Sequence, residues 1–250
     1  MADKRFTGKV LFATGGGSGI AAATARRFAA EGGRIAVVDL DGDRARGVAD
    51  ELDGSCAIAC DVADERSVQQ AVDEAVQRLG RIDCVLNAAG HVHFAPLEQV
   101  SLEEWNRMLA VHLTGTFLVC RATLPALRTA GGGSVVNLSS VTALVARTNL
   151  AAYSSVKGAI LSLSRQLALD LAVDNVRVNA IAPGSVRTPM TQPVYGDEGG
   201  PPGHSARPDS IQKRVAEPEE IAATACFLFS EDASFLTGTL LVADGGSTAI

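Results

Sequence analysis

The chain has 250 residues, of which 47% are hydrophobic and 20% are charged, a composition that excludes a disordered protein. Its formal net charge is −6, so no basic excess exists to displace counterions from phosphates, and we expect no nucleic-acid partner. Glycine is frequent at 25 residues and aromatic residues make up only 4%, which favours recognition through the backbone over ring stacking.

Short apolar runs alternate with longer helical patterns along the chain, which predicts strands and helices in regular alternation. Each helical connection is long enough for a crossover between parallel strands. We therefore expect an α/β fold in which residues 1–250 form a single domain, a Rossmann-type doubly wound parallel seven-stranded sheet with helices on both faces. The predicted strands are residues 9–14, 34–39, 55–60, 82–87, 134–139, 176–181 and 239–242. The predicted helices are residues 18–31, 44–52, 64–79, 102–129, 151–173 and 219–230.

One segment differs in composition from the rest of the chain. Residues 189–208 contain five of the nine prolines together with four glycines. We interpret this segment as a long mobile loop that covers a pocket at the carboxyl ends of the strands, where ligands bind in doubly wound sheets.

The first predicted strand runs into the sequence Thr-Gly-Gly-Gly-Ser-Gly-Ile-Ala and then a helix. Glycines allow a tight turn there and let backbone N–H groups approach a diphosphate at the helix N-terminus. The general dinucleotide pattern G-x-G-x-x-G is not met, because Ile20 takes the place of its last glycine. A purely structural glycine turn stays open at this point. The candidate diphosphate contacts are Gly15, Gly17, Ser18, Gly19 and Ile20.

Asp39 ends the second predicted strand, 20 residues after Gly19. A carboxylate at this place can accept hydrogen bonds from both ribose hydroxyls of an adenosine. It would also repel a 2′-phosphate, and the glycine loop has no Lys or Arg to offset that charge, so NAD is the expected cofactor. Arg44 is the nearby cation that argues the other way, and a solvated turn acid is the alternative interpretation of Asp39.

Tyr153 and Lys157 lie four residues apart at the start of a predicted helix, so both side chains project from one face. An ammonium group one turn away can lower the pKa of a phenol and make it a usable acid or base. Ser140 follows the preceding strand and could donate to a developing alkoxide. Taken alone, the Tyr/Lys spacing favours an ordinary surface pair, and it is the preceding strand and its serines that point to a site.

In their order and spacing, these motifs resemble the short-chain dehydrogenase/reductase family over nearly the whole chain. The family's T-G-x-x-x-G-x-G loop is matched from Thr14 to Gly19, with Ala21 in place of the last glycine. Its N-A-G motif is similar to residues 87–90, its Y-x-x-x-K pair is Tyr153 with Lys157, and its P-G and D-G-G motifs match residues 183–184 and 244–246.

The resemblance implies an oxidoreductase that transfers a hydride between NAD(H) and a small secondary alcohol or ketone, in a homotetramer. It makes Tyr153 the general acid/base and Ser140 the group that positions the substrate oxygen. Lys157 would bind the nicotinamide ribose and lower the pKa of Tyr153. Further cofactor contacts that it implies are Leu40, Asp61, Val62, Asn87, Ala88, Gly90, Pro183, Gly184, Val186 and Thr188, besides Asp39, Tyr153, Lys157 and the glycine loop.

The chain departs from the family pattern at His112, where the family has a catalytic Asn. The resemblance implies that this position kinks the long helix and that its main-chain carbonyl holds a water that relays protons to the lysine. We therefore include His112 among the candidate catalytic residues and expect an added ionisation near pH 6–7. The alternative is a histidine that merely packs.

Two other functions stay open. A 3-oxoacyl-thioester reductase of the same family would use NADPH and is opposed by Asp39. A non-catalytic NAD(H)-sensing protein is favoured by His112 and Ala21 but has no need of an intact Ser140, Tyr153 and Lys157. The residues expected near the mouth of the site are His91, His93, Phe94, Val141, Leu144, Arg147, Met190 and Tyr195.

The five cysteines are an odd number, and their neighbours are apolar. We interpret them as small buried residues of a cytoplasmic protein rather than a disulfide framework or a metal site. His91 and His93 lack a third ligand at a plausible spacing, so no metal is expected. The longest uncharged runs have the length of strands or core helices, so we expect no association with a membrane.

Overall fold

A computed structural model describes residues 4–192 and 210–249 of the chain. Its centre is a sheet of seven parallel strands. The strands are β1 Val10–Thr14, β2 Arg34–Asp39, β3 Cys56–Ala59, β4 Cys84–Asn87, β5 Gly133–Leu138, β6 Val176–Pro183 and β7 Leu240–Ala243. Their order in the sheet is β3-β2-β1-β4-β5-β6-β7. Successive strands are added towards one edge from β1 to β3 and towards the other edge from β4 to β7. Doubly wound sheets bind ligands at the point where this order switches, which here lies between β1 and β4.

Helices cover both faces of this sheet. They are α1 Gly19–Ala30, α2 Gly42–Ala49, α3 Glu65–Leu79, α4 Leu102–Met108, α5 Gly115–Thr129, α6 Ala151–Asp170 and α7 Pro218–Phe229. The core is divided by the sheet, because successive strand residues point to opposite faces. Leu11 and Ala13 of β1 belong to the cluster that contains residues of α1, α2 and α7. Val10 and Phe12 belong to the cluster with residues of α3, α5 and α6. The predicted fold class is confirmed.

The bounds of most elements differ from the predicted ones by a few residues. The one structural difference within an element concerns the predicted helix 102–129, in which a π-helical segment, Leu109–Thr114, separates α4 from α5. The wider π turn changes which side chains face the sheet on either side of it. This is where His112 lies.

Helix Leu102–Thr129, taken as one run, is the one helix among the described residues with the length and hydropathy of a membrane span. Core helices pass the same test. Leu118, Val119 and Leu127 of this run are buried in the core cluster beneath the sheet. The run therefore has the packing of a core helix.

All five cysteines are buried thiols, as interpreted from their apolar neighbours. Burial raises the pKa of Cys120 and Cys226 to about 12, which keeps both thiols protonated and unreactive at neutral pH. Of the predicted covering loop 189–208, residues 193–208 lie outside the described part of the chain, and so does Tyr195.

Candidate active site

The turn between β1 and α1 is shaped for an anionic ligand. Gly15 has a φ of +67° and packs closely against the loop that follows β4. A Cβ at Gly15 would lie 3.0 Å from the backbone N of Ala89. Ser18 is the N-cap of α1, yet its side chain accepts no hydrogen bond from the helix N-terminus. The first N–H groups of α1 are thus left for a ligand, and the helix dipole favours a negative charge at this end.

Asp39 is held in place by this turn. Its Oδ2 accepts a hydrogen bond of 2.9 Å from the N–H of Gly17, and its Oδ1 accepts one of 3.0 Å from the N–H of Asp41. Arg44, the cation that could have favoured a 2′-phosphate, has its Nε 3.1 Å from Asp41 Oδ2. The positive charge beside Asp39 therefore already has a carboxylate partner.

A cleft of about 350 Å³ extends along the carboxyl edge of β1, β2 and β4. Asp61, Val62 and the exposed Leu40 line its outer part, and Pro183 and Thr188 its inner part. The predicted cofactor residues found in this lining are Gly15, Ser18, Gly19, Ile20, Asp39, Leu40, Asp61, Val62, Ala88, Gly90, Tyr153, Lys157, Pro183, Gly184, Val186 and Thr188. A glycine turn, an uncapped helix N-terminus and a carboxylate at the end of β2 are the features that fit a dinucleotide.

Two predicted cofactor contacts, Gly17 and Asn87, are not among the residues that line the cleft. The N–H of Gly17 already donates to Asp39. Asn87 is buried, and its Nδ2 donates to Oδ1 of Asn137 at 2.8 Å, which ties β4 to β5. Both residues support the wall of the cleft rather than forming its surface.

Sequence reasoning also missed Arg107, which lines the cleft from α4 together with Val111. The two are four residues apart and so share a helix face. That spacing was the available signal, but it predicts a shared face and not the direction in which the face points.

A second cavity of about 950 Å³ adjoins the cleft. Among the described residues, five line both: Ser140, Tyr153, Gly184, Met190 and Thr191. Of the residues expected at the mouth of the site, Phe94, Val141, Arg147 and Met190 line the larger cavity. His91 lines the cofactor cleft instead, while His93 and Leu144 line neither.

Lys157 is buried beside the carboxyl end of β5. Its Nζ donates a hydrogen bond of 2.8 Å to the carbonyl of Leu138 and lies 5.5 Å from the ring centroid of Tyr153. No carboxylate of the described residues pairs with it, and desolvation lowers the pKa of Lys157 to about 7.

Tyr153 lies where the two cavities meet, hydrogen-bonded to the side chain of Ser140. Burial raises the pKa of Tyr153 to about 12, although the hydrogen bond from Ser140 acts in the opposite direction. Desolvation of the phenolate sets the direction of this shift in the ligand-free protein, and the expected lowering of the pKa by Lys157 stays a prediction for the state in which the lysine is charged. Tyr153 is a proton donor in this state, with Ser140 as a second hydroxyl at the same point.

His112 is 1% exposed and lies edge-on to the ring of Tyr153, with 5.7 Å between the ring centroids. Its main-chain carbonyl accepts a hydrogen bond of 2.7 Å from the hydroxyl of Thr116. Desolvation and the charge of Lys157 hold the pKa of His112 well below 6.5. The expected ionisation near pH 6–7 is therefore wrong, because a buried imidazolium beside an ammonium is unfavourable.

Proton-donating side chains placed between a dinucleotide cleft and a second cavity are what a nicotinamide-dependent oxidoreductase requires. The chain belongs to the short-chain dehydrogenase/reductase family and is a dehydrogenase that acts on CH–OH groups. The family model described as Enoyl-(Acyl carrier protein) reductase matches residues 15–248.

Relatives of this chain cover nearly all of it. A D-threitol dehydrogenase from Mycolicibacterium smegmatis is 42% identical over 98% of this chain and 95% of its own. An L-fucose dehydrogenase from Bos taurus is 37% identical over 97% of this chain and 90% of its own. The solved structure of a 3-ketoacyl-(acyl-carrier-protein) reductase from Brucella melitensis complexed with NADH is 32% identical, with a TM-score of 0.89 and 97% and 99% of the two chains covered.

Proposed function

We propose that the protein oxidises a secondary hydroxyl of a small polyol or cyclic alcohol, with NAD as the cofactor. The observation that carries the proposal is that Ser140 and Tyr153 line both cavities, so one point is accessible to a substrate and to a cofactor at once. Thr148 and Ser247, whose side chains carry hydroxyls, are among the residues that line the larger cavity. Such a lining is suited to a hydroxyl-rich molecule, because each group can donate and accept.

Bound NAD supplies the acceptor for the hydride that leaves the carbinol carbon of the substrate. The chain's own residues orient the substrate and handle the proton. Ser140 donates a hydrogen bond to the substrate oxygen. For oxidation, Tyr153 first releases its own proton to solvent, and the resulting phenolate then takes the proton that the alcohol loses. Lys157 stabilises the negative charge on the phenolate when it is protonated, and lends this electrostatic support only over the pH range in which it carries a charge.

Several relatives favour this substrate class. Their names describe dehydrogenases of D-threitol, L-fucose and trans-4-hydroxycyclohexanecarboxylate, all of them hydroxylated small molecules. The alternative of a 3-oxoacyl-thioester reductase is favoured by one structural neighbour, the 3-ketoacyl-(acyl-carrier-protein) reductase.

The preference for NAD is supported by the two oxygens of Asp39. Each accepts a backbone N–H, which fixes the carboxylate at the end of β2. A 2′-phosphate brought to this place would face a fixed negative charge, while the guanidinium of Arg44 is engaged by Asp41.

A panel of polyols, sugars and cyclic alcohols, each with NAD+ or NADP+, tests the proposal through absorbance at the nicotinamide band. We expect turnover of at least one hydroxylated compound and a preference for NAD+. Reduction of 3-oxoacyl thioesters with NADPH and no oxidation of any alcohol would replace the proposal with the reductase. NADH binding without turnover of any compound in either direction would establish the sensing protein.

The assembly and compartment are proposals as well. We infer a homotetramer of single-domain subunits in the cytoplasm. Phe235, Val173 and Leu169 are 100%, 89% and 72% exposed, and burying such side chains between copies would be favourable. The five buried free thiols are typical of a reducing compartment. Sedimentation velocity measures the assembly directly, and a monomer at micromolar concentration would contradict it.

A further inference from the structure

The imidazole of His112 occupies the space that a side chain at position 90 would need. A Cβ built on Gly90 would lie 2.2 Å from Cε1 of His112, 2.8 Å from Nδ1 and 2.9 Å from Nε2. The backbone of Gly90 is not in the left-handed region, unlike that of Gly15 and Gly19. Its conformation is therefore open to any residue, and contact with the imidazole alone demands glycine here.

The same imidazole is bound to the next peptide along the loop. Nε2 of His112 lies 2.8 Å from the carbonyl oxygen of His91 and 3.1 Å from its backbone nitrogen. The N–H of His91 donates to Nε2, and the carbonyl of the same residue accepts from Nε2 in the other tautomer, so this peptide holds the imidazole in either one. Nδ1 is buried and has no hydrogen-bond partner among the described residues. His112 is 1% exposed, and this burial favours the neutral ring over the imidazolium.

The segment that His112 touches is a wall of the cofactor cleft. Ala88, Ala89, Gly90 and His91 all line the cleft. The opposite side of the imidazole faces the ring of Tyr153. A single buried side chain thus contacts the cofactor wall and the catalytic phenol at the same time.

We propose that His112 is a positioning residue that sets the distance between the wall segment 88–91 and Tyr153, and that glycine at position 90 and histidine at position 112 form a matched pair. His112 acts through its neighbours and transfers no proton itself. This inference rests on the proposed use of the cleft for NAD and adds a specific partner residue to it.

A double-mutant cycle of Gly90→Ala and His112→Ala tests the pair. In the Gly90→Ala protein the added methyl collides with the imidazole and displaces the wall, so we expect the Kd for NADH to rise by at least about tenfold. In the His112→Ala background the same methyl enters the vacated space, and the rise falls below about threefold. NADH fluorescence titration gives the Kd of each variant, and Gly47→Ala is the matched control because nothing lies within 4 Å of a Cβ at Gly47.

Steady-state kinetics separates positioning from a general loss of structure. In Gly90→Ala, the KM for NAD+ should rise by a larger factor than kcat falls. In the double variant, the KM should return most of the way to the wild-type value. An equal effect of Gly90→Ala in both backgrounds overturns the pairing.

Thermal unfolding of the four proteins without cofactor keeps the pairing testable apart from the proposed function. If the wild-type chain binds no NADH, the proposed function fails, while non-additive melting temperatures still support the matched pair and additive ones refute it. If Gly90→Ala alone does not fold, recovery of folded protein in the double variant supports the pair, and failure of both refutes it.

Discussion

The buried amine of Lys157 predicts that the protein gives up stability at the very residue that it needs for catalysis. Lys157 is 6% exposed, and its amine donates a hydrogen bond to the carbonyl of Leu138. Replacing it by the nearly isosteric methionine removes the amine and keeps the packing. We expect Lys157→Met to be more stable than the wild-type protein at neutral pH and to lose turnover.

The magnitude follows from the lowered pKa. A fall from 10.5 to about 7 means that the charged lysine destabilises the fold by about 5 kcal/mol. At pH 7, where the folded protein holds the proton half of the time, the cost is about 4 kcal/mol. Methionine leaves the Leu138 carbonyl without this partner, which costs about 1–3 kcal/mol. The net gain is about 2 kcal/mol, or roughly 6 °C in Tm for a chain of this size.

The sign of the pH dependence distinguishes this effect from better packing. Between pH 7 and 10.5 the unfolded chain binds the lysine proton and the folded protein does not, so wild-type stability rises with pH. The advantage of Lys157→Met should therefore decline by about 3 kcal/mol between pH 7 and pH 9.5. Urea unfolding at several pH values measures it, with the exposed Lys213→Met as the control. A variant that is less stable than wild type at pH 7, or a difference that does not change with pH, would refute the reasoning.

Tyr153→Phe should lower kcat by about 10²–10⁴ while leaving the Kd for NADH within about threefold, because it removes only the proton-transferring oxygen. Turnover of the variant at the wild-type rate would refute the assigned mechanism. Asp39→Ala should lower the ratio of kcat/KM for NAD+ to that for NADP+ by about tenfold or more, since a fixed charge no longer faces the 2′-phosphate. Asp43→Ala, which removes an exposed carboxylate of the same loop, is the matched control, and an unchanged ratio in Asp39→Ala would show that the ribose assignment is wrong.

The fold was predictable because its signals are local. Each central strand is buried on both faces and reads as a short apolar run, as in β1, where all five residues are buried. The glycine loop, Asp39 and the Tyr153–Lys157 pair were likewise visible as spacings along the chain. These groups lie at one edge of the sheet because all strands are parallel and their carboxyl ends therefore meet there.

The rest depends on contacts between distant positions that no spacing encodes. The N–H of Gly17 is taken by Asp39, 22 residues further along, so its role differs from that of Gly15. The imidazole of His112, on the π-helical segment, packs against Gly90 in the loop after β4. This contact joins two segments that are distant in the sequence. The direction in which the pKa of Tyr153 shifts likewise depends on how deeply its phenol is buried. The sequence places a lysine one turn away but does not give this burial.

The wall shared by the two cavities constrains how this enzyme can acquire new substrates. Met190, Thr191 and Gly184 line both spaces, so a substitution there that admits a bulkier alcohol also reshapes the cofactor cleft. Val92, Phe94 and Thr148 line only the larger cavity. Directed evolution of specificity should therefore accumulate substitutions at these three positions, because they can change which alcohols bind without lowering the affinity for the cofactor.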